Sequence, residues 1–494
     1  MMSFDLTVFQ SSQYSNNPSI QSLVSSAKND DLSAICELAH LVYEGEDASR
    51  DYTIAADLWE YAAQKGNYTA LLGLADCYFT GNGRPEDEAR AFKMFSQVYN
   101  DHPEMLHALC QIGRMYVHAW GVPRDITKGL EVLNRAWKAG HSRAATEIGC
   151  TYLYNLERTV ENVVTAIKWF QRASDMGDPK GCYQLGSIYF NGDYGAQKSN
   201  SLAFNLLMKG RHYSDALGLL LTSECCEVGT KEDVNSVVEE AIRRAQYGDA
   251  DLQSDVGYAY AKGKSLPHDV AQAELWYRLA VKNGNAHAAF RLGSSYLYGF
   301  DGFEKNIKNA LEYLTYAAEH GQAYAMSTLG DLYDDLYDHD FYEIPYSDAK
   351  ELALHWWSAA ADAGESGCAS KAASQYERDG KLDLALKYYL IAAKEEYTSC
   401  YMPIARMYLY GRGCKPDYKA AVEYFSKAVM DSAGAFYKGE VEFHYGEMYE
   451  NGWGYPQDYD QAVKHYSAAA EAGYAEAKDA LSHFKKGFFG WKKI

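Results

Sequence analysis

Along most of the chain, apolar and small residues return every three or four positions, in blocks of roughly a dozen divided by glycine-bearing stretches; this is the periodicity of amphipathic helices. Residues 286–322 show the unit plainly. One helical block holds Arg291, Leu292, Gly293, Ser294, Ser295 and Tyr296. A loop runs from Gly299 to Gly302, and a second block carries Ala310, Tyr313, Leu314, Ala317 and Ala318. The small residues at Gly293, Ala310, Ala317 and Ala318 allow two helices to approach closely, with Tyr296 filling the space between them. Gly321 suits the left-handed residue that closes a helix.

The same unit recurs from end to end. One tyrosine marks each copy: Tyr43, Tyr78, Tyr116, Tyr152, Tyr189, Tyr260, Tyr296, Tyr333, Tyr376, Tyr408 and Tyr449. Successive marks lie 32–43 residues apart, except for a double step of 71 between Tyr189 and Tyr260, so about twelve units are expected. A period of that length predicts an all-α solenoid of helix pairs. Three residues before the tyrosine the chain is small in nearly every unit (Ala75, Gly113, Gly149, Gly186, Gly257, Gly293, Gly330, Ala373, Ala405, Gly446), with His40 the exception. The second helix pairs alanine with an aromatic: Ala55 with Trp59, Ala91 with Phe95, Ala166 with Phe170, Ala273 with Trp276, Ala385 with Tyr389, Ala420 with Phe425 and Ala462 with Tyr466. Neither helix can bury its apolar face alone, so neighbouring units must stack to build the core.

Written out, the pattern is A-x3-LG-x2-Y-x2-G-x-G-x3-D-x3-A-x2-W/F-x3-AA-x2-G, clearest at 70–100, 106–140, 250–284, 286–321, 399–430 and 441–473. It resembles the SEL-one-like repeat, a relative of the tetratricopeptide repeat, over nearly all of residues 30–480. The resemblance implies a right-handed superhelix of antiparallel helix pairs whose concave face binds proteins or peptides. It also implies an adaptor or inhibitor rather than an enzyme. Some members carry paired cysteines in each repeat, and this chain lacks that pairing.

Composition narrows the setting. The 494 residues carry a net charge of −20, which disfavours nucleic acid and anionic membranes and favours a basic protein partner or plain solubility. Ten cysteines lie scattered without a CxxC, as expected of free thiols in a reducing, cytoplasmic compartment. The first residues, Met1 to Gln21, have neither the basic nor the apolar segment of a secretory leader. No apolar run approaches the ~18 residues a membrane span needs.

The expected organisation is a flexible N-terminus (1–18), an N-terminal array (19–212), a degenerate repeat (213–249), a C-terminal array (250–484) and a basic aromatic tail (485–494). The stretch Gly210 to Val234 lacks both the tyrosine and its small partner; a bend between arrays and simple drift with intact packing both stay open. Residues Ala475 to Phe484 read as a final helix, and Phe488 and Phe489 in the tail as a cap on the last repeat.

Apparent chemical motifs fall to simpler explanations. Gly81-x-Gly83, Gly411-x-Gly413 and Gly452-x-Gly454 sit between helices, where a turn explains them, and not after a strand as in a dinucleotide fingerprint. Gly263-Lys264-Ser265 lacks the leading glycine of a phosphate loop, since Tyr258 stands there. His339 has no second histidine at ligand spacing. His102 and His107 are poorly spaced for one helix face. No catalytic, cofactor or metal residues are assigned. The one departure with binding character is an insertion, Asp331 to Asp348, dense in acids and aromatics. Asp334, Tyr337, Asp338, Asp340, Phe341, Tyr342 and Tyr346 are its candidate contacts, since aromatic anchors amid steering charges typify protein interfaces. The sequence thus reads as a cytoplasmic, non-enzymatic, protein-binding solenoid, monomeric when unbound. Two versions stay open: an inhibitor or immunity protein held against one basic partner, and an adaptor or delivered effector that assembles a complex.

Overall fold

Capping residues define the helices. Asp31, Asp51, Asn67, Asp87 and Asp125 each accept a hydrogen bond on the side chain from an amide two or three residues on, and so satisfy a donor left open at the helix start. First helices end on a left-handed residue, as at Gly45, Gly81, Gly192, Gly263, Gly299 and Gly411. A recurring backbone bond then fixes the turn. The residue capping the second helix donates its N–H to the carbonyl of the marker tyrosine: Asp87 to Tyr78 (2.8 Å), Asp125 to Tyr116 (2.8 Å), Asp269 to Tyr260 (3.1 Å), Asp417 to Tyr408 (2.9 Å) and Asp458 to Tyr449 (3.0 Å).

The computed structural model describes residues 6, 9, 18–45, 50–336, 346–430, 434–487 and 490–494. They form two units, Met1–Lys305 and Asn306–Ile494. In the first unit a leading helix, Pro18–Lys28, precedes seven helix pairs, from Leu32–Glu44 with Tyr52–Gln64 to Ala250–Lys262 with Val270–Lys282; the helix Ala286–Tyr298 follows. The second unit begins with Ile307–Glu319 and continues through four pairs, from Ala323–Leu336 with Tyr346–Asp362 to Gly434–Asn451 with Tyr459–Glu471. The helix order is that of twelve two-helix repeats, and the fold is an all-α solenoid, as the tyrosine period predicts.

Packing explains the small residue before the tyrosine. A Cβ added at Gly113 would lie 2.7 Å from Leu133; at Gly149, 2.6 Å from Phe170; at Gly330, 2.4 Å from Trp357. The glycine is the seat for the large residue of the second helix. That residue follows its alanine by four, not by three or five. In the seventh pair the buried aromatic is Tyr277, and Trp276 is only half-buried; in the eleventh it is Ala421, rather than Ala420, that is buried with Phe425. Both expected pairings were one residue out, because a one-turn spacing is what places two side chains on the same stripe. Tyr296 is buried, with its ring edge-on to Phe303 at 5.7 Å.

The glycine two residues after the left-handed cap of a first helix, which is Gly81, Ala119 or Gly411, has a different role. A Cβ at Gly83 would stand 2.0 Å from the carbonyl oxygen of Tyr52, at Gly121 2.5 Å from Glu88, and at Gly413 2.2 Å from the Leu382 carbonyl. Each contact is the start of the preceding repeat's second helix, so this glycine makes room for the neighbouring backbone.

The stretch without a marker tyrosine still folds as a pair, Ser214–Thr222 and Lys231–Gln246, joined by a 3-10 turn at Glu224–Val228. Leu217, Leu220, Leu221, Cys225 and Cys226 are buried there beside Val237, Ala241 and Val256. At the C-terminus the expected helix to Phe484 stops at Ser482. Phe484 instead opens β1 (Phe484–Gly487), antiparallel to β2 (Gly490–Lys493). This hairpin covers the last repeat: Phe484 is buried beside Tyr466 and Val463, and Lys493 pairs with Glu450 at 2.5 Å. Phe488 and Phe489 lie outside the described residues.

Candidate functional site

Counted from the marker tyrosine, first-helix positions nine, five and two before it and two after it lie on one face, because the spacing is i, i+4, i+7, i+11. In the first unit this stripe is polar in helices otherwise apolar: His107, Gln111, Arg114 and His118 in the third pair, then Arg143, Glu147 and Cys150 in the fourth, whose α-helix passes into a π-helical turn at Thr151–Asn155. First helices also pack directly on neighbouring first helices, Leu32–Glu44 on Tyr68–Thr80 and Ser142–Cys150 on Pro179–Asn191, which puts this stripe on the inner side of the stack.

The stripe is wired from repeat to repeat. Asp76 accepts from Gln111 at 2.9 Å and meets His107 at 3.2 Å. Gln111 accepts from Arg114 at 2.6 Å. Arg114 pairs with Glu147 at 3.3 Å, and Glu147 with Lys180 at 3.0 Å. Beside it, buried Asp178 takes Arg143 at 3.0 Å and the Thr146 hydroxyl at 2.6 Å. Burial would raise the pKa of Glu147, but Arg114 and Lys180 outweigh it and hold the carboxyl below its usual range. Arg114 also lies near the rings of Phe79 and Trp120, and His118 stacks on Trp120 with centroids 4.2 Å apart. Burial, helped by Arg114, pulls the His118 imidazole downward and favours its neutral form.

Further along, the stripe turns acidic, with Asp215, Asp249, Asp251 and Asp255 around the sixth and seventh pairs. Burial pushes Asp255 up to about 7, against the pull of Arg291 and with the help of Asp251, Asp215 and Asp249. In the second unit the same register yields Asp331 with Lys371 at 2.5 Å and Glu440 with Arg406 at 2.9 Å. There His444, 4 % exposed, lies 2.8 Å from Glu447 and 3.6 Å from Glu440, with the Tyr410 hydroxyl 3.0 Å from its Nδ1.

Of the residues predicted to make contacts, Asp334 is exposed on the helix Ala323–Leu336, and Tyr346 begins the helix Tyr346–Asp362. Tyr337, Asp338, Asp340, Phe341 and Tyr342 lie outside the described residues. The start of the presumed insertion is helical: Asp331 accepts from the Trp357 indole at 2.7 Å and belongs to the scaffold. Sequence motifs do not single out the inner stripe; counting outward from each tyrosine reveals it. Among the described residues no group of three or more His, Cys, Asp or Glu could hold a metal, and no helix is long and apolar enough to cross a membrane.

The Sel1 repeat family model matches at eleven places: 32–67, 69–97, 106–141, 142–178, 179–209, 250–285, 286–322, 323–365, 376–397, 404–431 and 440–474. The chain belongs to the Sel1 repeat family. Its Sel1 repeats make it a scaffold for protein–protein interaction. Among curated relatives, the chitin synthase regulator SKT5 of Saccharomyces cerevisiae is 24% identical over 253 residues; the match spans 48% of this chain and 36% of the yeast protein. An uncharacterized protein of Neisseria meningitidis is 23% identical over 402 residues, 72% of this chain and 78% of that one. Among solved structures, c5321, a protective antigen of uropathogenic Escherichia coli with an SLR fold, is 22% identical and has a TM-score of 0.32, covering 94% of this chain and 90% of its own.

Proposed function

We propose that these Sel1 repeats hold a basic protein, with the inner stripe of the first unit as the gripping surface and the aspartates at 215, 251 and 255 as its recognition end. The carrying observation is the clustering of half-buried Asp255 with Asp215, Asp249 and Asp251: burial first, and then these carboxylates, push its carboxyl up against the pull of Arg291, and a lysine or arginine from a partner relieves the repulsion on binding. The net charge of −20 steers a basic partner toward this end. The protein works without catalysis, as a cytoplasmic monomer that inhibits its partner; as an adaptor it would instead hold two partners at once. The acidic aromatic stretch from Asp334 to Tyr346 is a second proposed contact, on composition alone.

Affinity capture from native lysate, run in parallel with wild type and Asp251→Asn/Asp255→Asn, tests the reading. A basic protein retained by wild type and lost by the variant is expected, and identical retention by both sinks the acidic end as the recognition site. With the captured partner, Asp338→Asn/Asp340→Asn is expected to slow association and Tyr342→Ala to speed dissociation; wild-type kinetics in both removes the second contact. Partner activity abolished by binding supports the inhibitor, and a ternary complex supports the adaptor.

A further inference from the structure

In a solenoid each repeat touches its neighbours, yet the first unit contains a contact between its first and seventh pairs. Arg50 precedes the second helix of the first pair. Its backbone N–H donates to the carbonyl of Tyr247 at 2.9 Å, and its guanidinium pairs with Asp249 at 3.5 Å. Tyr247 ends the helix Lys231–Gln246, so its carbonyl is one that a helix end leaves without an internal donor. Asp249 caps the helix Ala250–Lys262 and also receives the Ser214 hydroxyl (2.8 Å) and Arg244 (3.3 Å). A second bond, from Arg50 Nη2 to the Glu44 carbonyl at 2.8 Å, holds the guanidinium in place. Left-handed glycines flank both sides: a Cβ at Gly45 would stand 3.0 Å from the Tyr247 carbonyl oxygen, and one at Gly248 3.4 Å from the Arg50 Cβ.

This junction differs in kind from the others. Neighbouring repeats are joined by shared apolar cores. Here Leu38, Val42 and Leu58 belong to one buried cluster and Ala245, Leu252 and Val256 to another. What joins residues 50 and 249, nearly two hundred positions apart, is polar, and the Arg50 Nε is buried without a hydrogen-bond partner. A polar junction with an unsatisfied donor is the weakest link in a stack otherwise held by apolar burial.

We propose that Arg50 and Asp249 form a salt-sensitive clasp that closes the first unit on itself, and that the unit opens there, between its first and seventh pairs, before any neighbouring repeats separate. The closed clasp fixes the spacing of first helices along the inner stripe. Opening lets that spacing relax, whatever the stripe binds.

Hydrogen exchange on the full-length protein tests this, reading the Arg50 amide, which the Tyr247 carbonyl protects, against amides of the helices Tyr68–Thr80 and Ala250–Lys262. Wild type is compared at low salt and at roughly 0.5 M, where the screening length falls to a few ångströms; Arg50, 18 % exposed against 4 % for Asp249, is the side of the pair that the ions reach. Asp249→Asn keeps a residue able to cap the helix while removing the charge, and Arg50→Ala leaves Asp249 to Arg244. Exchange at residue 50 is expected to quicken about tenfold in salt and in both variants, with the helix amides unchanged. Unchanged exchange at residue 50 in salt overturns the proposal. So does equal quickening of the helix amides in salt, because the junction would then open only with the repeats themselves. The wild-type salt arm decides even where a variant fails to fold.

Discussion

Gly446 and Tyr466 are so close that a Cβ on the glycine would lie 2.5 Å from the tyrosine ring. Tyr466 is 1 % exposed and donates its hydroxyl to Glu450 at 2.6 Å, so the ring cannot swing aside without losing that bond. Alanine normally gains ~1 kcal/mol over glycine inside a helix. Overpacking a fixed ring costs about 1–3 kcal/mol and outweighs it. Gly446→Ala is therefore expected to lower stability, read as a drop in the urea midpoint. A raised midpoint would mean that the ring yields freely.

Tyr296→Ala removes a buried ring from the contact with Phe303 and is expected to cost about 3–5 kcal/mol. Loss of protection should centre on residues 250–298, since each repeat leans on its neighbours. Protection unchanged across that stretch would refute the packing.

His444 gives stability a pH dependence. Burial opposes its charge, but Glu440 and Glu447 overcome that and raise its pKa in the folded state. Arg406 and the Tyr410 hydroxyl face the same carboxylates. A raised folded value means the contribution is complete below the unfolded imidazole value of roughly 6.5 and fades as pH rises through the folded one. The stability gap between wild type and His444→Gln should shrink over that interval. A gap that grows with pH would contradict the arrangement.

Glu147 carries the opposite sign. Its folded carboxyl is held low, so its contribution is present above the unfolded glutamate value and is lost as pH falls through the folded one. Glu147→Ala leaves Arg114 and Lys180 without their shared partner and is expected to cost about 3–5 kcal/mol at neutral pH. An unfolding midpoint equal to wild type would show that water replaces the carboxylate.

All ten cysteines are free, and eight of them are buried. Burial pushes the Cys36 thiol up to about 11 and Cys77 and Cys110 to about 12. Thiol titration should find few fast sites in the native protein and ten after denaturation. Fewer than ten in denaturant would reveal oxidised pairs.

Local periodicity carried most of this fold into view. The tyrosine marker and its small partner were readable because every repeat must seat a large side chain of the second helix, as Gly149 seats Phe170. Trp276 and Tyr277 are adjacent aromatics, and only the one-turn spacing from Ala273 decides between them. The hairpin after Ser482 was missed because its four-residue strands are too short to show alternation. For the site, Glu147 looked like any surface acid until Arg114 and Lys180 of the adjoining repeats were placed beside it. The contact of Arg50 with Asp249 has no periodic signature at all, since it joins repeats that are not neighbours.

The glycine two residues beyond the left-handed cap of a first helix is encoded in one repeat and used by the one before it. Gly83 accommodates Tyr52, Gly121 accommodates Glu88 and Gly413 accommodates Leu382. The modules are therefore out of phase with the text that specifies them. A recombination event that deletes or duplicates a stretch between equivalent points inherits a matched seam, whereas one that cuts between a turn and the upstream helix start sets a stranger's backbone against the glycine. Arrays of this kind can change length by whole periods from almost any starting point, but a change by any other length breaks a joint one repeat upstream of the edit.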